Sequence, residues 1–324
     1  MKNSVCFDDV LLVPRYSSIR SRSGVDLSVK LKNVVQPLRS PVISSPMDTV
    51  TESAMALAML RRGALGIIHR FNDIGTQVDM VSDVYEKLEE ENCNMITSIA
   101  AAIGVSGDYF ERAQVLYQAG ARVLCIDIAH GHHILMKHAL QALRREFGNK
   151  VHLMAGNVAT REGFESLADW GADSVRVGIG GGSICSTRIQ TGHGMPTLQS
   201  VLECAGSDRD TLIIADGGIR TSGDMVKALA AGADMVMVGA LLSGTTETPG
   251  DVHNESSSGT QVYEAIMTNE GECKYTGAVE GRKYKQYRGM ASQEAQVAWR
   301  GYGSSEEGVA TTVDYKGPVT PILD

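Results

Sequence analysis

Between Pro41 and Gly244, short apolar and β-branched runs alternate with longer stretches whose apolar residues recur every three or four positions. Eight runs read as strands: PVISSPMDTV, ALGIIHRF, MITSIAAAIGV, RVLCIDIAHG, VHLMAGNVAT, SVRVGIGGGS, TLIIADGGIR and MVMVGALLSG. The stretches between them, such as TESAMALAMLRRG, DYFERAQVLYQAG and TSGDMVKALAAG, begin near Ser, Thr or Asp and read as amphipathic helices. Four end in Gly-Ala just before the next strand, at Gly63, Gly120, Gly171 and Gly232, where glycine accepts the left-handed conformation that stops a helix. Strict alternation implies a parallel sheet covered by helices. Eight units predict a closed (β/α)8 TIM barrel of class α/β rather than an open doubly wound sheet.

Two regions depart from the repeat. Residues 245–288 form a polar excursion or hairpin that ends in a basic run, Arg282 to Arg288. The final EEGVATTVDYKGPVTPILD reads as two short strands around YKGP, with no eighth covering helix after them, so an exposed flank or a missing last helix is expected. The whole of 1–324 is read as one catalytic barrel domain.

The 30 basic and 38 acidic side chains give a formal charge of -8 without a basic block, which makes nucleic acid a poor partner. No apolar run approaches the ~18 residues of a membrane span, and the first ten residues lack a signal peptide's apolar stretch. A cytoplasmic protein with no membrane partner is expected. The six cysteines are scattered, with no CxxC pair and no His at zinc spacing, so neither a disulfide framework nor a structural metal is indicated.

A barrel builds its site where strands end. Those positions hold Asp48, His69, Asp127, His130, Asn157, the loop GIGGGSICSTR, Asp216 with Gly217 and Gly218, and Gly239. Glycine amides before Ser183 can approach a phosphate, and Cys185, followed by hydroxyls and Arg188, can act as a nucleophile. A mobile glycine linker around an inert cysteine is the plain alternative. Asp216 suits ribose hydroxyls or, equally, a helix cap. Gly239 and Ala240 offer amides to the same phosphate. In DIAHGHH, metal is disfavoured because no further ligand is evident; Asp127 and His130 instead line a cofactor face, with His132 and His133 in solvent at a helix start.

FDDVLLVPRYSS, PVISSPMDTVTE, GIIHR, IDIAHGHH, AGNVAT, GIGGGSICSTR, ADGGIR and YRGMAS resemble, in order and spacing, the IMP dehydrogenase and GMP reductase family, from Phe7 to Pro318. The resemblance implies that Cys185 attacks C2 of a purine nucleotide and that Thr187 and Glu307 relay protons there. It implies phosphate contacts at Ser183, Gly218, Gly239 and Tyr287, a ribose ligand at Asp216, and a base-reading backbone at Gly289, Met290 and Ala291. Asp127 matches the residue facing the nicotinamide riboside, with His130 and Asn157 beside it. Gly180, Gly182 and Cys185 match carbonyl donors of a monovalent-cation (K+) loop whose partners, normally supplied by the chain's end, are not present. A homotetramer is implied as well.

Within this family the dehydrogenase needs a mobile flap with adjacent Arg and Tyr. Here only Gln293 to Ser305 separate GMAS from EEG, Gly301 splits Arg300 from Tyr302, and Ser82 to Asn94 leaves no room for a nucleotide-sensing insert. These features favour GMP reductase, acting on GMP with NADPH to give IMP. SSPMDTVTE, DIAHGHH and YRGM look more like the dehydrogenase, and Ala291 stands where reductases place Ser and dehydrogenases Gly. IMP dehydrogenase, oxidising IMP to XMP with NAD and using Arg300 to activate water, is one alternative; a catalytically weak purine-nucleotide-binding relative is another.

Overall fold

The computed structural model describes residues 4–254, 263–267, 273–278, 282–303 and 307–323. Eight strands, β1 (Val42–Ser44), β2 (Leu65–Ile68), β3 (Ala100–Ile103), β4 (Val123–Asp127), β5 (His152–Val158), β6 (Ser174–Val177), β7 (Leu212–Asp216) and β8 (Met235–Val238), pair in parallel in chain order. β8 returns to β1 through Val42↔Val236, Ile43↔Met237 and Ser44↔Val238, so the predicted (β/α)8 barrel is closed. Every residue of β2, β3, β6 and β8 is buried, as expected for strands covered on both faces.

The covering helices are α1 (Ser53–Arg61), α2 (Ile74–Glu90), α3 (Tyr109–Gln118), α4 (Ile134–Phe147), α5 (Arg161–Asp169), α6 (Thr187–Thr191), α7 (Thr197–Cys204) and α8 (Ser222–Ala230). Their starts follow local chemistry: Asp73, Thr160 and Thr221 cap α2, α5 and α8 through their side chains. Their ends follow the Gly-Ala repeat. Gly63, Gly120, Gly171 and Gly232 have φ of 72°, 116°, 109° and 109°. In each case the next alanine N–H reaches back five residues, as in Ala64 to the Met59 carbonyl at 3.0 Å and Ala121 to Leu116 at 2.9 Å. This closes the helix and turns the chain into the next strand.

After β8 the pattern changes. β9 (His253–Asn254), β12 (Lys283–Arg288) and β13 (Ala310–Asp314) form an antiparallel sheet with β12 in the middle, and β10 (Tyr263–Met267) pairs antiparallel with β11 (Cys273–Ala278). Residues 255–262, 268–272 and 279–281 of the expected excursion lie outside the described residues. The basic run at 282–288 is no patch: Lys285 and Tyr287 alternate inward and are buried, because β12 lies between two strands and against the barrel. α9 (Gln293–Arg300) follows β12, and α10 (Thr320–Leu323) ends the described chain. The second short strand read after YKGP is therefore α10. The Val319 N–H goes to the Glu247 carboxylate at 2.8 Å instead of a ladder, and Pro321, lacking a donor, fits a helix's first turn. After β8 the described helices are the eight-residue α9, between β12 and β13, and the four-residue α10.

Candidate active site

The carboxyl ends of the strands open into a cleft of about 1050 Å³. Cys185 lies in its wall, on the loop between β6 and α6. That loop is fixed by a segment some 120 residues later: the Val309 N–H donates to the Ile184 carbonyl at 3.0 Å and the Ser186 N–H to the Glu307 carbonyl at 2.9 Å. The pairing brings three side chains into line. The Cys185 thiol reaches the Thr187 hydroxyl at 3.2 Å, and that hydroxyl donates to a Glu307 carboxylate oxygen at 2.9 Å. A nucleophile is thus coupled through one hydroxyl to a carboxylate, the geometry a proton relay requires.

Glycine content along the cleft has a packing cause. A Cβ on Gly178 would lie 2.1 Å from the Asp216 carbonyl oxygen, and one on Gly217 3.1 Å from the Gly182 nitrogen. The GIGGG and DGG loops therefore meet backbone to backbone, and a mobile linker is excluded. Tyr287 on β12 closes the same end, hydrogen-bonded to Ser183, with burial pushing its phenol upward in pKa. Arg288 turns the other way and binds Asp48 at 2.6 Å. The Asp48 N–H in turn meets the Met290 sulfur at 3.2 Å, tying the Gly289–Ala291 backbone to the first strand's loop.

The charge pattern centres on Arg176, a residue the sequence reading passed over. It projects from β6 inside the barrel, donates to Asp127 Oδ1 at 2.7 Å, and binds Asp216 Oδ2 through Nε at 3.1 Å and Nη2 at 2.9 Å. Asn157 adds a donor to Asp216 at 2.7 Å, and Arg70 faces Asp127 at 3.4 Å. Burial alone would raise the Asp127 carboxyl, but Arg176 and Arg70 outweigh it and hold it below its ordinary value. Two carboxylates and two guanidiniums thus leave no net charge. Asp216 does not cap the helix after it; Thr221 does. An arginine inside the apolar run SVRV was the available signal, since a lone cation on a buried strand needs a partner.

A second cluster stands at the rim. Trp299 on α9 meets Phe71 edge-on at 5.4 Å, the Arg70 guanidinium lies 4.9 Å from the Phe71 centroid, and Arg300 stacks on Trp299 at 4.4 Å. All four line the cleft. His69, buried, accepts the Phe71 N–H at Nδ1 (3.1 Å), which leaves Nε2 to donate to Glu52 (3.1 Å).

Asp127, Asn157, Gly180, Gly182, Ser183, Cys185, Thr187, Asp216, Gly217, Gly218, Gly239, Ala240, Tyr287, Gly289, Met290, Ala291 and Glu307 all line the cleft. His130 does not. It is exposed, its ring 6.5 Å from that of His132. His133 caps α4, and His132, expected in solvent, is half-buried against Trp170. Around the residues matched to a cation loop, the Gly182 carbonyl accepts the Cys185 N–H at 3.2 Å, and the Arg188 stem packs against Gly180 and Gly194.

A sequence model described as the IMP dehydrogenase / GMP reductase domain matches residues 4–276. The chain is 33% identical to an inosine-5'-monophosphate dehydrogenase of Nitrosopumilus maritimus, across 99% of this chain and 90% of that protein. It is 36% identical to one of Cryptosporidium parvum (88% and 86%) and 31% identical to a GMP reductase of Leishmania major (100% and 89%). With a matching domain over most of its length and relatives aligned nearly end to end, the chain belongs to the IMP dehydrogenase / GMP reductase family.

Proposed function

We propose that the protein is a GMP reductase, converting GMP and NADPH, with protons, to IMP, NADP+ and ammonium. The observation that carries this reading is the Cys185–Thr187–Glu307 chain, set beside a connection whose Trp299 and Arg300 already line the cleft and which leaves little chain for a separate mobile flap. Of the residues between Ala291 and Glu307, Gln293–Arg300 are wound into α9, where each residue advances only about 1.5 Å.

The residues divide the work as follows. Ser183, Gly218, Gly239 and Tyr287 hold the nucleotide's phosphate, Asp216 its ribose, and the Gly289–Ala291 backbone the base. The Cys185 sulfur adds to C2 of the purine as its proton passes through the Thr187 hydroxyl to Glu307. Glu307, through Thr187, supplies a proton to the departing amine as the C2–N bond breaks, leaving a thioether-linked purine. Asp127 and Asn157 fit the nicotinamide riboside, and reduced nicotinamide, when bound, provides a hydride. Once C2 has been reduced the S–C2 bond breaks and Cys185 leaves as thiolate. An assembly of several copies is supported by the amino-terminal arm, where Leu11, Val13 and Tyr16 are 86%, 81% and 95% exposed.

Purified protein given GMP and NADPH should oxidise the cofactor and release ammonia in equal amounts. Reduction of NAD with IMP, and no reaction with GMP, would replace this reading with IMP dehydrogenase. One observation favours that second reading: Arg300, the residue available to activate water, lines the same cleft as Cys185.

A further inference from the structure

Beyond the cleft wall, the turn after β8 is held from behind. Gly239 accepts the N–H groups of Leu242 (3.0 Å) and Ser243 (2.9 Å). Its neighbours' carbonyls point to one cation: Lys316 Nζ lies 3.1 Å from the Ala240 oxygen and 3.1 Å from the Leu241 oxygen. Lys316 comes from the segment after β13, and its own N–H is bound to the Gly244 carbonyl at 2.8 Å, so the lysine is anchored to the same turn. Among the described residues, the N–H groups of Gly239, Ala240 and Leu241 donate to no protein acceptor. The C=O and N–H of one peptide point in opposite directions. The Ala240 carbonyl, held by Lys316 and by the Ser243 hydroxyl at 2.8 Å, therefore faces away from the Leu241 N–H of the same peptide, on the turn whose Gly239 and Ala240 line the cleft.

We infer that Lys316 is a positioning residue for the substrate's phosphate: it fixes the direction of the amides after β8 and adds positive charge one layer behind the anion. The inference rests on the proposed placement of a nucleotide phosphate at Gly239 and Ala240. A second lysine supplies the contrast. Lys285 is buried, and its ammonium is held by the carbonyls of Thr245 (3.2 Å) and Thr248 (2.5 Å), further along the chain and off the cleft lining. It braces the fold without orienting the amides after β8.

The test measures dissociation constants for GMP, guanosine and ribose 5-phosphate with the full-length protein, so that no turnover is needed. Lys316→Met is expected to weaken GMP and ribose 5-phosphate on the order of tenfold, the effect of about one net hydrogen bond. Guanosine, lacking the phosphate, should bind unchanged, and Lys316→Arg should restore the wild-type ratio. In turnover, KM for GMP rises while kcat is kept. Lys285→Met should lower the melting temperature and leave the GMP-to-guanosine ratio alone. Equal loss of guanosine and GMP in Lys316→Met, or no loss of either, overturns the inference. Should that variant not fold, Lys316→Gln, which keeps one donor but no charge, is read by the same ratio, and an unchanged ratio there is equally fatal. Wild-type protein that binds ribose 5-phosphate but neither GMP nor IMP would instead defeat the purine reading and leave the lysine's role standing.

Discussion

Replacing Arg176 with Met tests the electrostatic frame of the cleft. The substitution keeps the side chain's apolar stem and removes three charge-assisted hydrogen bonds, one to Asp127 and two to Asp216. Breaking a buried ion pair from one side costs about 3–5 kcal/mol, because the remaining charge stays desolvated. Here each carboxylate keeps one partner, Arg70 or Asn157, and their side chains remain 20% and 12% exposed, which places the loss near the lower end, about 3 kcal/mol. For a chain of this length that is a fall in melting temperature of roughly 5 °C. The loss should depend on pH. In the wild type the lowered Asp127 carboxyl contributes stability above the unfolded aspartate pKa and loses it as pH falls through the folded value. In the variant the burial of Asp127 is no longer outweighed by Arg176, its carboxyl rises, and protonation relieves it. Thermal melts of both proteins from pH 7 to pH 4.5 should therefore converge. A gap that stays constant across that range, or one below about 1 kcal/mol at pH 7, would show that the guanidinium is not neutralising the two aspartates.

Three further outcomes are expected. Thr187→Val should cut kcat by a factor on the order of 100 while GMP binding persists, because the path from Cys185 to Glu307 is broken; unaltered single-turnover rates would remove the relay. Burial pushes the His152 imidazole down to about 4, its ring nitrogens held by the Lys32 carbonyl and the Ser174 hydroxyl. The unfolded chain binds that proton near pH 6.5, so the stability is fully present above that pH and is lost, up to about 3 kcal/mol, as pH falls toward 4. An imidazole resonance titrating near 6.5 in the folded protein would contradict this. Of the two tryptophans, Trp299 lines the cleft and Trp170 does not, so ligand binding should alter the fluorescence of wild-type protein and not of Trp299→Phe.

The sequence by itself determined the barrel. Apolar runs bounded by Gly-Ala stops set where each strand and helix lies, because helix ends and strand burial depend on neighbours a few residues away. It also marked Cys185, Asp216 and Gly239, which stand at strand ends where a barrel carries its chemistry. Where the reading went astray, distant contacts decided. Lys285 reads as part of a basic run until β12 is seen between β9 and β13, and His130 reads like Asp127's companion until its ring is found outside the cleft. The resemblance paired Thr187 with Glu307, and the structure supplied their contact; tertiary structure alone joined Arg176 to two aspartates and Lys316 to the turn after β8. Those pairings run between segments about 40 to 120 residues apart, where no local periodicity carries information and only the closing of the barrel brings the partners within reach.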